Sequence, residues 1–192
     1  MNRVADLAIA GVGLALTSPV LAAAALAIKL EDGGPVLFRQ TRVGKGGKDF
    51  ELLKLRSMSV GAEHLGAGVA IDRGDSRITR VGRFLRRTSI DELPQLWNVL
   101  RGEMSVIGPR PTLRYQVDQY DERQRHRLDV QPGITGWAQI HGRASLPWAD
   151  RIELDLWYVR HHDWKTDLLI LLRTPLALFG GTYKGETGGW CP

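Results

Sequence analysis

The chain has 192 residues, enough for one domain with a substantial core and too few for two comfortable ones. Its ordinary composition excludes fibrous and disordered classes, and its single cysteine, Cys191, excludes an intrachain disulfide and a cysteine-based zinc site. With 26 Lys and Arg against 21 Asp and Glu the formal charge is +5 and the pI about 9.7, which suits an anionic partner without choosing among nucleic acid, acidic lipid and phosphorylated substrate.

Leu7 to Ile28 is a run of 22 residues without a charged side chain. As a straight helix it would measure roughly 33 Å, enough to cross a hydrocarbon core of about 30 Å. Three readings of it compete. Arg3 in front and the small residues Ala22 to Ala25 behind fit a cleaved signal peptide. The length fits a plain span. Ser18-Pro19 at the middle fits a third course, because proline deletes a backbone hydrogen bond and predicts a kink or break. A break at mid-depth lets the chain enter and leave on one side, with the Thr17 and Ser18 hydroxyls at hand for the freed backbone groups. Arg3 before the run and Lys29 after it favour cytoplasmic placement of both ends.

Gly33-Gly34-Pro35 ends this segment. Val36 to Gln40 and Phe50 to Leu55 read as two strands of a hairpin about the turn Gly44-Lys45-Gly46-Gly47-Lys48, which lacks the spacing and the Ser/Thr of a P-loop. Lys54 and Arg56, two apart on the second strand, leave the same face, an arrangement suited to gripping a phosphate or equally to a solvated strand face. Ser59 to Asp75 is polar and Gly-rich, as in a mobile loop. Arg80 to Arg87 places apolar residues at helical spacing among arginines, as in an interfacial helix on acidic lipid. No interleaved aromatic platform supports nucleic-acid binding there. Near the C-terminus, Asp167 to Phe179 is apolar but interrupted by Arg173 and Pro175, too short to span and suited to an interfacial or core helix. Trp148, Trp157, Tyr158 and Trp164 precede it, as at a membrane interface or in an ordinary core.

The centre of the sequence is SIDELPQLWNVLRGEMSVIGPRP, Ser89 to Pro111. Pro94 suits the first turn of a helix with Asp91 at or near its N-cap; alternatively Ser89 and Glu92 form a capping box. A helix N-terminus stabilises a nearby anion by roughly 0.3–1 kcal/mol, which keeps an acid there ionised and favours phosphate. A carboxylate can attack phosphorus to give an acyl phosphate, dividing one hard transfer into two easier ones. A second acid beside it can hold Mg²⁺ against a diphosphate. Side chains adjacent on a helix point about 100° apart, so Asp91 and Glu92 suit separate roles.

The run RVGRFLRRTSIDELPQLWNVL resembles the signature of the bacterial sugar transferase family, the monotopic polyprenyl-phosphate phosphoglycosyl transferases that initiate glycan assembly. The resemblance extends upstream through GPVLFRQTRVGKGGKDFELLKLRSM and downstream through RLDVQPGITGWAQIHGR and LDLWYVRHHDWKTDLLIL, four blocks in order from the membrane segment almost to the C-terminus. It implies an α-rich α+β fold with a re-entrant membrane helix over residues 1–30, broken at Ser18-Pro19. A catalytic region over residues 31–192 would follow, built of interfacial helices and a small hairpin on the cytoplasmic face of the bacterial inner membrane.

It further implies transfer of a sugar-1-phosphate from a UDP-sugar to polyprenyl (undecaprenyl) phosphate, with release of UMP, in membrane lipid and without nucleic acid. Asp91 would be the nucleophile and Glu92 the Mg²⁺-associated acid. Lys54, Arg56, Arg87, Arg110, Arg143 and Asp167 would be the substrate- or phosphate-binding residues. Ile90 stands where Leu is usual and His141 where Asn is common. A secreted or peripheral basic binding protein without catalysis is the alternative. The sequence identifies neither the sugar nor the oligomeric state.

Overall fold

The structure is a computed structural model that describes residues 2–62, 75–142 and 146–179. It is an α-rich α+β arrangement. Helix α1 (Arg3–Asp32) is followed by strands β1 (Leu37–Val43) and β2 (Asp49–Leu55), then helices α2 (Arg80–Thr88) and α3 (Gln95–Arg101). Strand β3 (Ser105–Ile107), short helices α4 (Arg114–Val117) and α5 (Glu122–Arg125), strand β4 (Gly133–Thr135) and α6 (Trp137–Ile140) lead to α7 (Trp148–His161) and α8 (Trp164–Phe179). The expected mobile loop falls largely on residues 63–74, outside the described residues.

Among the described residues, α1 is the one helix long and apolar enough to cross a membrane. Its 30 residues correspond to roughly 45 Å. The expected break at Ser18-Pro19 is absent: the helix runs unbroken through Pro19. The local sequence explains how. Pro19 has no N–H to give the carbonyl of Ala15, four residues back, and the Ser18 hydroxyl donates to that carbonyl at 2.8 Å instead. The Thr17 hydroxyl donates to Gly13 O at 2.6 Å, so the turn around the proline is held by side chains.

α1 packs against the rest of the chain. Ala10 and Ile28 are buried in the core, while Val4, Val12, Leu16, Leu26 and Leu30 form an exposed apolar surface. Both ends are bolted to the rest of the chain. At the first turn the Arg3 guanidinium donates to Val99 O (2.6 Å) and Leu100 O (2.9 Å), closing the end of α3. Buried Asp6 accepts from the Ser105 hydroxyl (2.9 Å) and Val106 N (2.8 Å) on β3. At the last turn Glu31 accepts from Arg80 N (2.7 Å) and Val81 N (3.2 Å), supplying acceptors to the first turn of α2. Its neighbour Asp32 pairs with the Arg56 guanidinium, one bond measuring 2.6 Å.

The hairpin has the expected turn, with Gly46 and Gly47 at φ 65° and 75°, but β1 extends three residues beyond Gln40. Its register runs from Leu37 opposite Leu55 to Val43 opposite Asp49. Phe38, Gln40 and Arg42 therefore share a face with Phe50, Leu52 and Lys54. Asn98 of α3, fully buried, docks against β2: its Oδ1 accepts from Leu53 N at 3.0 Å and its Nδ2 donates to Glu51 O at 2.7 Å. Glu103 accepts a second hydrogen from that amide at 2.7 Å. One side chain thus stands in for a third strand and fixes β2 on α3.

β3 and β4 pair in parallel, Ser105 with Gly133 and Ile107 with Thr135. The pairing continues past the strand, as Gly108 N donates to Thr135 O (2.9 Å) and Gly133 N to Pro109 O (2.8 Å). A Cβ on Gly108 would meet Gln131 O at 2.3 Å and one on Gly136 would meet Gly108 O at 2.2 Å, so these glycines are required by close backbone approach. The helix expected at Arg80 to Arg87 is present as α2, capped by Thr79 accepting from Gly82 N at 2.9 Å, with Leu85 buried and Phe84 exposed. The C-terminal apolar segment is α8, which bears Leu168, Leu172 and Leu176 as an exposed stripe four residues apart and buries Ile170.

Replacing Asn98 with Leu removes one shared partner from Leu53 N, Glu51 O and the Glu103 carboxylate at once. We expect a stability loss of about 2–4 kcal/mol, read as a lower urea midpoint in detergent.

Candidate active site

The two acids do not sit as expected. Asp91 lies inside a 3₁₀ turn, Ile90–Glu92, and α3 begins only at Gln95 with Pro94 as its N-cap. The Ser89 side chain makes no capping hydrogen bond, so the capping-box register is not formed either. Ser89 instead has φ 57°, the one non-glycine left-handed residue among those described, and both ends α2 and opens the turn. A non-glycine residue held there costs backbone energy and marks a position fixed by its surroundings. The reversal at Ser89 buries the Asp91 side chain and brings Glu92 beside it.

Glu92 is the hub. Lys54 Nζ lies 3.0 Å from its Oε1, and Arg110 Nη2 lies 2.6 Å from the same oxygen. The cations come from different elements: Lys54 from β2, Arg110 from the Gly-Pro-Arg-Pro loop after β3. Burial alone would raise the Glu92 pKa, but Arg110 and Lys54 outweigh it and hold the carboxyl well below its usual range. Glu92 is therefore a fixed anion at neutral pH. Asp91 goes the other way, because burial and then the Glu92 charge raise it to about 6, against the pull of Lys54, Arg86 and Arg110. Burial also lowers the Lys54 pKa, with Glu92 resisting.

Arg110 is itself held in place. Arg127, buried, donates Nη2 to Arg110 O (2.7 Å), Nη1 to the Tyr120 hydroxyl (2.5 Å) and Nε to buried Asp155 (2.7 Å). Burial would loosen the Arg127 proton, yet Asp155 and Tyr120 hold it more tightly than usual. The hairpin joins the same loop through Val43 N to Thr112 O (2.9 Å) and Arg42 Nη1 to Pro111 O (3.3 Å).

Of the residues expected from sequence, Asp91, Glu92, Lys54 and Arg110 are brought together. Arg56 is not beside Lys54's partner: it is buried, paired with Asp32 and donating Nε to Pro35 O at 2.6 Å, so it fastens the end of α1. Arg87 points to solvent. Arg86, one residue earlier, acts on Asp91 electrostatically, and its Nη1 is buried without a hydrogen-bond partner. Asp167 is buried and accepts from the Tyr158 hydroxyl at 2.7 Å. Arg143 lies outside the described residues. Sequence reading missed Arg86 and Arg42. The alternation along β1 already put Arg42 on the face of Lys54 once the hairpin register was known, while nothing local distinguished Arg86 from Arg87.

The model of the family described as bacterial sugar transferase matches residues 1–181. The chain is 45% identical over 187 residues to the UDP-N-acetylgalactosamine-undecaprenyl-phosphate N-acetylgalactosaminephosphotransferase of Aeromonas hydrophila, covering 94% of this chain and 44% of the relative. It is 49% identical over 186 residues to the UDP-glucose:undecaprenyl-phosphate glucose-1-phosphate transferase of Caulobacter vibrioides, covering 92% of this chain and 69% of that one. A relative of the same name in Escherichia coli is 45% identical over 182 residues, 91% of this chain and 39% of its own length. The chain belongs to the bacterial sugar transferase family, and it spans less than half of the Aeromonas and Escherichia relatives.

The opposed shifts give a titration to measure. Asp91 should ionise with a midpoint near 6, protonating as pH falls through that value. In Glu92→Gln the neighbouring anion is gone while the cations remain, so the midpoint should move down; isotope-edited infrared titration of the carboxyl checks both.

Proposed function

We propose that this chain is a phosphoglycosyl transferase that moves a sugar-1-phosphate from a UDP-sugar to undecaprenyl phosphate through a covalent intermediate on Asp91. The observation that carries this reading is the pairing of a buried acid raised to about 6 with an ionised neighbour clamped by two cations. Pairs of groups pushed apart in pKa separate the roles of a site. Asp91 is largely ionised at neutral pH, poorly solvated, and therefore a competent nucleophile. Glu92 is too stabilised as an anion to accept a proton and serves to orient. Lys54, Arg110 and Arg86 supply positive charge where a transferring phosphoryl group spreads negative charge.

Among the described residues no three metal-ligating side chains cluster, so a protein-only metal cage is absent. Mg²⁺ characteristically takes one or two carboxylates and completes its shell with substrate phosphates and water. Asp91 and Glu92 fit that mode, with Glu92 as the residue that would hold the ion. There the ion would neutralise diphosphate charge. The relatives named above act on UDP-glucose or UDP-N-acetylgalactosamine, and those two donors are the first to try.

The same reading makes α1 monotopic, lodged in the cytoplasmic leaflet with both ends on one side. Its support is mechanical: Arg3 and Asp6 at one end and Glu31 and Asp32 at the other all bond to the catalytic body. A body on one face of a bilayer cannot hold both ends of a helix that crosses it. With the single native cysteine replaced, cysteines placed at Val4 and at Gly33 should both react with an impermeant maleimide added to inside-out vesicles, and neither in right-side-out cells. Labelling of the two from opposite sides would overturn the monotopic reading.

Incubation with Mg²⁺ and UDP-glucose or UDP-N-acetylgalactosamine, without acceptor, should add one sugar-phosphate to the intact mass. The adduct should be lost in Asp91→Asn, and transfer should fall at least about 10³-fold, as for removal of a nucleophile. Turnover by Asp91→Asn at the native rate would eliminate the covalent step.

A further inference from the structure

Arg42, on β1, has a position that the reading above leaves without a task. It lies on the face of the hairpin that carries Lys54, which sits opposite Phe38, and the two cations are separated by four residues along the ladder. At about 3.4 Å per residue that separation is roughly 14 Å along the strand. Arg110 reaches in from the Gly-Pro-Arg-Pro loop to bond Glu92 beside Lys54, while its neighbour Pro111 accepts from Arg42 Nη1 at 3.3 Å. Lys54, Arg110 and Arg42 thus form a row of cations leading away from the two acids.

The guanidinium is oriented rather than neutralised. Its Nε and Nη2 both donate to Gln40 Oε1, at 3.1 and 2.6 Å, and its third bond goes to a backbone carbonyl. Both acceptors are uncharged oxygens. Glu92, the acid that acts on it through space, is already bonded to Lys54 and Arg110. A half-buried fork set beside a second guanidinium is an arrangement that an incoming anion stabilises. The strain shows in the pKa of Arg42, pushed down to about 10 by burial and then by the charge of Arg110, though it remains protonated at neutral pH.

We propose that Arg42, oriented by Gln40, binds the phosphate of the leaving nucleotide, so that the UMP half of the donor lies over the hairpin at the far end of the cation row. This rests on the reading of Asp91 as nucleophile toward a UDP-sugar. In that step an Asp91 carboxylate oxygen bonds to the sugar-bearing β-phosphorus, and the bond from that phosphorus to the bridging oxygen breaks. The electron pair stays on the bridging oxygen, and UMP departs with one additional negative charge. In-line displacement puts the leaving oxygen opposite the nucleophile, which is the side of the row that Arg42 occupies. No proton is required if a fixed cation meets that charge.

The test is equilibrium binding of UMP and of uridine, with Mg²⁺, to the full-length protein in detergent. Arg42→Gln should lose roughly ten- to a hundredfold in UMP affinity, the worth of a charge-assisted hydrogen bond, while uridine affinity holds. Arg42→Lys keeps the charge but not the fork and should fall between; it decides the matter if the glutamine variant does not fold. Unchanged UMP binding in the variants would overturn the proposal. So would an equal fall for UMP and uridine, which marks a structural role, or no UMP binding by the native protein. The donor adduct is followed in parallel. An adduct with unchanged UMP binding sinks this inference alone, and a UMP response without any adduct sinks the covalent reading alone.

Discussion

Everything in the site turns on one carboxylate. Glu92 draws Lys54 from the hairpin and Arg110 from the loop after β3 onto a single oxygen, and so closes three chain segments around Asp91. Bringing Glu92 and Lys54 largely out of water is expensive, and the attraction among the three charges offsets that cost only if each is held where the others need it. The surroundings supply that holding. Asn98 fixes β2 on α3, Arg127 with Asp155 fixes the carbonyl of Arg110, and the Gly108–Gly133–Gly136 approach fixes the loop's course. The result is a cluster whose positive charges are placed before substrate arrives, the condition under which electrostatic stabilisation costs no reorganisation.

The apolar helix belongs to the same frame. Arg3 closes the end of α3, whose first turn follows directly on the acids, and Asp6 anchors β3, which leads into Arg110. At the other end Glu31 caps α2 and Asp32 engages Arg56, which follows β2 and Lys54. Segments adjoining Asp91, Glu92, Lys54, Arg86 and Arg110 are therefore bonded to α1. Exposed leucines on α1 and α8, with Phe84 on α2 and Trp97 on α3, give the molecule an apolar exterior next to this polar frame. A reaction between a soluble nucleotide sugar and a lipid-borne phosphate asks for such a juxtaposition.

Much of this was legible in the sequence. Two short runs about a glycine-rich turn marked the hairpin, an uncharged run marked α1, and apolar residues at helical spacing among arginines marked α2. The adjacent acids ahead of Pro94 marked the centre of the site. These signals are local: they follow from backbone periodicity and turn chemistry, which a short stretch of sequence determines by itself. The tertiary structure decided which neighbour faces inward. Arg86 rather than Arg87 addresses Asp91 because the left-handed residue Ser89 reverses the chain. Arg56 leaves the phosphate side because Asp32, 24 residues earlier, captures it. Arg42 joins the site because the hairpin lies against the Gly-Pro-Arg-Pro loop. Pro19 does not break α1 because Ser18 supplies the missing donor to Ala15. In each case residue type and spacing allowed two outcomes of similar local energy, and a contact to another segment or to a specific side-chain rotamer selected one.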